Sequence, residues 1–351
     1  MIKAGKLFWD PSKTNTLAYP KSEQDIRKCF EVWLKMIKNL KEEKAPSGVV
    51  LNESEIHAKS GQYRENIEYE RTKEVLGRGN SAGEIYVIED NFTGAKHAQK
   101  TVLISHFRPE EIEAWVDLNL NKLQAIPELR HFQLEGNKVV IHMEVLENAI
   151  TVRDIFENRV GDLIQTNAAL LLPFSIYVFH ILLEVVHTMH EIGWTHRDLH
   201  SKNVLIQKKA ETLVIRVVDL GSACKTNSED GQKGIRSDVL NALRIFSALF
   251  LGEEFHSQKD LEDNWRTKLF QRMIEQDIDS DKRTDIFSIF PQAGNTAALR
   301  QIVKEMTERE SVADQMKEAT EILFPEKSDL NLYEKACSDL ISSESVSILL
   351  D

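Results

Sequence analysis

The stretch Thr195-His196-Arg197-Asp198-Leu199-His200-Ser201-Lys202-Asn203-Val204-Leu205-Ile206 constrains this chain more than any other. A carboxylate, Asp198, is followed five residues on by a carboxamide, Asn203. An apolar strand, Leu213 to Val218, comes next and delivers a second carboxylate in Asp219-Leu220-Gly221. One such triplet alone is most often an ordinary strand–turn–strand with solvated polar residues. The complete pattern, with Asn at that offset and Asp-x-Gly directly after a Val/Ile strand, argues against that reading.

A chain of 351 residues is longer than one modest domain, and 42% hydrophobic residues suffice for a sizeable core. The formal net charge is −12, with 56 acidic residues against 44 basic, so there is no basic footprint for nucleic acid. Cys29, Cys224 and Cys337 lie far apart and lack metal-site spacing. They predict a reducing, cytoplasmic setting rather than a disulfide framework. Residues 1–10 lack the apolar core of a secretory signal. The most apolar run, Ala168 to Val186, carries Pro173, Ser175, His180 and Glu184. It reads as a buried helix, and no membrane association is expected.

Ser22 offers an N-cap, and Ile26, Phe30, Trp33, Ile37 and Leu40 follow at helical spacing. These predict an amphipathic helix over 22–43 within an N-terminal extension, 1–67. Tyr69 to Leu76 leads into Gly77-Arg78-Gly79-Asn80-Ser81-Ala82-Gly83-Glu84-Ile85, a glycine-rich hairpin whose backbone amides phosphate can approach closely. By itself such a hairpin is a weak signal, since most glycine pairs are turns. His97 to Val102 is the next strand and contains Ala98 and Lys100. A helix opens after Pro109, and its apolar face includes Ile112, Trp115, Val116 and Leu118. Lys138 to Val145 is a strand, Thr151 to Arg159 a short helix, and Phe174 to Ile192 a long apolar helix closed by Gly193.

From Tyr69 to Asp219 these motifs, in this order, resemble the protein kinase superfamily. The resemblance covers about residues 68–325. It implies an α+β, bilobal fold: a small lobe (68–146) with an antiparallel sheet, and a larger helical lobe (147–325). An acidic tail, 326–351, follows. The resemblance further implies ATP and Mg²⁺ bound between the lobes. Asp198 would take or orient the substrate hydroxyl proton, and Asn203 and Asp219 would hold the metal. Lys100 would contact the α- and β-phosphates and pair with a helix carboxylate. Glu111 is the choice for that partner, with Glu110 and Glu113 as rivals. The nucleotide would lie against Leu76, Gly77, Gly79, Gly83, Ile85, Ala98, Met143 and Leu205. The backbone of Glu144 and Leu146 would hydrogen-bond the base.

Three departures stand out. The family writes GxGxxG, whereas here the third glycine comes one residue late, so either Gly83 or Ala82 takes its place. His200 replaces the lysine usual in Ser/Thr kinases, and Lys202, two residues on, would supply a cation near the γ-phosphate. After Gly221 only fifteen residues, 222–236, precede Ser237-Asp238. That pair is expected to open the family's central helix, which would run to Gly252. The activation segment is therefore nearly absent, and no Ala-Pro-Glu anchor follows it. Within the superfamily, four stretches of the small lobe are similar to the NF-κB-inducing kinase branch of the MAP kinase kinase kinases. They are Ser47-Gly48-Val49-Val50-Leu51, Leu76-Gly77-Arg78-Gly79, Phe107-Arg108-Pro109-Glu110-Glu111 and Met143-Glu144-Val145-Leu146-Glu147.

The expected function is ATP-dependent phosphoryl transfer to a protein hydroxyl. Two alternatives stay open: a pseudokinase acting as a nucleotide-binding or scaffold module, and a kinase of a small molecule or of one dedicated protein. The expected partners are ATP and a protein whose identity the sequence does not give.

Overall fold

A computed structural model describes residues 2–3, 6–7, 69–79, 83–91, 94–210, 212–252, 255, 257–289, 292, 295–309 and 312–325. The amphipathic helix expected over 22–43 and the acidic tail lie outside the described residues. Ile2–Lys3 pairs antiparallel with Lys6–Leu7. The described chain divides into two compact units. The first takes residues up to Glu147 together with Thr188–Asp198 and Val217–Ile235, and the second takes Asn148–His187, Leu199–Arg216 and the residues from Arg236 on.

The first unit is built on a five-stranded antiparallel sheet of β1 (Tyr69–Gly79), β2 (Gly83–Asp90), β3 (Lys96–Leu103), β4 (Leu129–Glu135) and β5 (Lys138–Met143). The strand order is β1-β2-β3-β5-β4. Helix α1 (Pro109–Leu120) follows β3, with Pro109 in its first turn, where the missing N–H costs nothing. Strand alternation sorts the two faces of the sheet. Ala98, Lys100 and Val102 are buried on one face of β3, level with Ile141 and Met143 of β5. His97 and Gln99 lie on the other face, level with Ile88, Tyr86 and His142. The apolar side is closed by Val87, Ile112, Leu118, Val139 and Ile141, all buried.

Trp194–Thr195 (β7) and Cys224–Lys225 (β10) form a short antiparallel ladder in this unit. Helix α5 (Glu229–Leu251) begins here and continues into the second unit. It starts at Glu229, not at Ser237 as the sequence reading expected. Ser228 explains the earlier start: its hydroxyl accepts the Gly231 N–H at 3.0 Å, and Glu229 and Asp230 fill the first turn. Gly231 and Gly234 conceal this turn in the sequence, because glycine is a poor helix former. Both are needed for closeness rather than for flexibility. A Cβ on Gly231 would lie 2.0 Å from the Lys225 carbonyl oxygen, and one on Gly234 would lie 2.7 Å from Thr195 Oγ1. The helix end at Gly252, with φ of +70°, is where the sequence placed it.

The second unit is mostly helical. Its residues include β6 (Ala149–Thr151), α2 (Val152–Asn158), α3 (Val160–Asn167), most of α4 (Leu171–Ile192), β8 (Val204–Lys209) and most of β9 (Thr212–Val217). After α5 come α6 (Gln258–Glu275), α7 (Ser280–Ile289), α8 (Thr296–Arg309) and α9 (Val312–Leu323). Thr151 caps α2 by accepting the Asp154 N–H. The core is aromatic: Phe179 stacks on Phe246 at 5.1 Å, and Phe246 stacks on Phe250 at 5.7 Å. The stretch Val160–Ile192 is long and apolar enough to cross a membrane, but 72% of its most apolar window is buried inside the protein. That burial agrees with its reading as a core helix.

Candidate active site

Period-two alternation makes Lys100 an inward residue of β3, where neighbouring positions carry Ala98 and Val102. A buried lysine needs partners, and it has two. Its Nζ donates to Glu111 Oε1 at 2.6 Å and to Asp219 Oδ1 at 2.7 Å. Burial alone would depress the ammonium pKa. The charges of Glu111 and Asp219, with their hydrogen bonds, outweigh burial and raise it, so Lys100 stays charged. Burial likewise works against the Asp219 carboxylate, but Lys100, His196 and the Gly221 N–H hold its pKa below the ordinary value.

The two carboxylates differ in exposure. The Glu111 side chain is 3% exposed and that of Asp219 is 35% exposed. Glu111 is thus enclosed with the lysine, while Asp219 keeps an open side. The rivals of Glu111 are engaged elsewhere: Glu110 lies near Arg108, and Glu113 pairs with Lys225 at 3.4 Å.

Helix α1 must sit close for this network to exist, and several contacts hold it. Trp194 Nε1 donates to Asp117 Oδ2 at 3.1 Å. Trp115 Nε1 donates to the Pro127 carbonyl at 2.7 Å, and Asn119 Oδ1 accepts the Leu129 N–H at 2.8 Å. Lys225, besides reaching Glu113, sits 5.2 Å from the Trp194 ring.

His196 was not singled out from the sequence, yet it connects both acidic motifs. Its ring is fully buried. Nε2 donates to the Val218 carbonyl at 3.0 Å, and Nδ1 accepts the Asp198 N–H at 3.3 Å. One imidazole thereby positions the backbone beside Asp219 and that of Asp198. The signal available was its place in the triplet before Asp198. Two neighbours take left-handed backbone: Arg197 has φ of 66°, and Asp219 has φ of 65° and ψ of 74°. Such strain concentrates where a site demands a fixed geometry. Arg197 Nη1 also lies 3.6 Å from Asp230 and donates to Cys224 Sγ at 3.4 Å.

The glycine hairpin closes with Gly77 opposite Ile85 and Gly79 opposite Gly83. Gly83 is thus the first residue of β2, and the tip, 80–82, lies outside the described residues. A Cβ on Gly77 would meet nothing within 4 Å, so packing among the described residues does not require glycine there. Leu76 is 42% exposed, and Ile85 is half-buried. Ala98 pairs directly with Met143, and both are buried. The Glu144 N–H donates to the Glu128 carbonyl at 2.9 Å, and Leu146 is half-buried just beyond it.

In the second unit, the Asn203 N–H donates to the His200 carbonyl at 2.9 Å, and its side chain is buried. Lys202 is exposed, and its backbone N–H donates to His200 Nδ1 at 3.2 Å. Leu205 is half-buried in β8, opposite Thr151.

An antiparallel five-stranded sheet, an enclosed lysine–glutamate pair and an aspartate held beside it characterise a protein kinase-like fold. Residues 69–242, just under half of the chain, match the protein kinase domain, and over that stretch the chain is similar to the protein kinase superfamily. It is 25% identical over 208 residues to the citron rho-interacting kinase of Rattus norvegicus, covering 58% of this chain and 9% of that protein. It is 30% identical over 154 residues to calcium-dependent protein kinase 20 of Oryza sativa subsp. japonica, covering 42% of this chain and 26% of that protein. The chain therefore spans only a minor part of the length of these relatives. Among solved structures, the BubR1 kinase domain aligns with a TM-score of 0.56 at 14% identity, covering 84% of this chain and 98% of that one, a likeness of fold. The similarity to the NF-κB-inducing kinase branch rests on its four sequence stretches alone.

Proposed function

We propose that this chain transfers the γ-phosphoryl group of Mg·ATP to a hydroxyl of a dedicated protein substrate in a cytoplasmic setting. The observation that carries the reading is the enclosed Lys100 with its two unequal carboxylates. A cation kept charged against burial is matched to anionic phosphate oxygens. Glu111 fixes its position, and Asp219, the more exposed carboxylate, is left to face a metal. The residues present fit the nucleotide in two further respects. Gly77 leaves open space where a side chain would otherwise project, and Ala98 keeps the position beside Met143 small. When bound, ATP would supply the phosphoryl group and Mg²⁺ would neutralise charge on its phosphates.

The chain's own residues then divide the work. Lys100 would bind phosphate oxygens, Asp219 and Asn203 would hold the metal, and Lys202 would add a cation where the family's lysine is missing. Asp198 orients the substrate hydroxyl and takes its proton. Leu76, Ile85, Ala98, Met143 and Leu205 would pack on the base, and the backbone of Glu144 and Leu146 would hydrogen-bond its edge. Gly77, Gly79 and Gly83 let the hairpin backbone approach the phosphates.

A second reading, a pseudokinase used as a binding module, is favoured by one observation. Only residues 222–228 separate the Asp219-Leu220-Gly221 triplet from α5, which leaves no room for a peptide-positioning segment. The deciding experiment is transfer of radiolabel from γ-labelled ATP in cell extract, comparing wild type with Asp198→Asn. Label on a discrete protein that the variant fails to produce supports transferase activity. Equal labelling by both, or none by either, sinks it in favour of the binding module.

A further inference from the structure

On the face of the sheet turned away from Lys100, His97 of β3, His131 of β4 and His142 of β5 come together. They are far apart in sequence, and only the register unites them: His142 pairs with His131 on one side and with Gln99 on the other. The ring centroids of His131 and His142 are 4.0 Å apart, and that of His97 lies 5.8 Å from His142. Tyr69 packs edge-on against His142 at 4.8 Å. A potential ligand nitrogen from each histidine lies within 4.8 Å of those of the other two.

Two of these rings have an unsatisfied atom. Nδ1 of His142 and Nδ1 of His97 are both buried, and neither has a hydrogen-bond partner among the described residues. His142 is fully buried, so its Nδ1 has no recourse to water. Packing alone would favour an apolar ring at such a position. The other nitrogen of His142 already has a neighbour, since Nε2 lies 3.1 Å from Gln99 Nε2. Turning the Gln99 amide over places Oε1 there, where it accepts the Nε2–H. The lone pair then resides on Nδ1, the nitrogen left without a partner among the described residues. A metal-bound histidine commonly donates its second ring N–H to an oxygen acceptor in this way.

We propose that His97, His131 and His142 form a binding site for one divalent transition-metal ion of the zinc class, with water completing a four-coordinate shell. An all-imidazole set suits Zn²⁺, Cu²⁺ or Ni²⁺ rather than Mg²⁺ or Ca²⁺, which require oxygen ligands. Ligand nitrogens of a tetrahedral Zn²⁺ site lie about 3.4 Å apart for bonds of about 2.0–2.1 Å, so the three rings need only close inward. The ion would join three neighbouring strands through their side chains and satisfy both orphaned Nδ1 atoms. It would be distinct from the Lys100–Asp219 cluster, because the three histidines lie on the face of the sheet opposite Lys100.

The test uses the full chain, stripped with chelator and held in excess Mg²⁺, titrated with ZnSO₄ by calorimetry and with CoCl₂ by absorbance. The expected result is one Zn²⁺ per chain, a rise in Tm on adding it, and Co²⁺ d–d bands of tetrahedral strength. His131→Ala and His97→Asn, both at half-exposed positions, should each lower Zn²⁺ affinity at least tenfold and abolish those bands, with far-ultraviolet circular dichroism unchanged. Unaltered Zn²⁺ affinity in both variants overturns the site, as does failure of the wild type to bind Zn²⁺ at micromolar concentration.

Discussion

Lys100 makes the clearest case at the scale of the residue. Removing its charge strands Glu111, a carboxylate with 3% side-chain exposure. Breaking a buried pair from one side costs about 3–5 kcal/mol, whereas replacing both partners with apolar groups is often neutral. Lys100→Met should therefore lower both activity and stability, and Lys100→Met/Glu111→Leu should regain most of the stability and none of the activity. Urea denaturation beside a phosphotransfer assay reads the two effects separately, and a Lys100→Met variant as stable as wild type would refute the enclosed pair. Lys100 was legible in the sequence because it follows Ala98 and lies at the expected distance from Gly77. Glu111 was legible as its partner only ahead of two rivals, since Glu110, Glu111 and Glu113 look alike until distances choose among them. His196 was hidden for a different reason: a side chain that positions two backbones leaves no pattern of its own.

The strands and helices carry two further predictions. His142 is pushed down to about 2 by burial and by the neighbouring His131 and His97 rings, from an ordinary 6.5. The unfolded chain thus binds a proton near pH 6 that the folded chain refuses. Stability from this group is complete above pH 6.5 and is lost as pH falls below it, by up to about 1.4 kcal/mol per pH unit for each such histidine. His97 is lowered too, first by burial, and adds in the same direction. Metal-free protein compared by urea denaturation at pH 7.5 and 5.5 should show the loss, and His142→Phe should lose less; equal losses would remove the assignment. The second prediction concerns the glycines that hid the start of α5. Gly231→Ala forces backbone apart and should cost about 1–3 kcal/mol, as overpacking does. Gly161→Ala in α3, where a Cβ meets nothing within 4 Å, should stabilise by about 0.4–1 kcal/mol. Thermal melts of the two variants should move in opposite directions. The sequence reading weighed helix propensity and could not see that contact, just as it could not see a histidine cluster made by register alone.

Over the whole chain, the missing activation segment has a structural counterpart. In many kinases a phosphate on that segment pairs with the arginine preceding the catalytic aspartate. Here Asp230 of α5 lies beside Arg197, and the Ser228 hydroxyl is occupied in capping that helix. Helix α1 is tied down by Trp194, Lys225 and Lys100. We expect activity that survives phosphatase treatment unchanged and that is weak on generic peptides. A broad peptide array before and after phosphatase reads both, and brisk peptide phosphorylation that vanishes with phosphatase would contradict them. The order of strands and helices was legible because the kinase motifs punctuate it, while the N-terminal helix read from Ile26 to Leu40 lies outside the described residues.

The left-handed backbone at Asp219 limits which side chains that position can carry. Aspartate and asparagine tolerate this conformation better than other residues with a Cβ, since a short polar side chain can bond locally. Asp219 does so, accepting the Gly221 N–H at 3.4 Å. Asp219→Asn therefore changes charge while keeping the turn, and it should abolish the Mg²⁺-dependent part of any rise in Tm with ATP. Asp219→Ala removes the charge and also strains the turn by about 1–2 kcal/mol. A melting temperature lower for Ala than for Asn, measured without nucleotide, is the signature expected. Drift at this position is thus confined by backbone shape to aspartate, asparagine and glycine, before chemistry makes any demand.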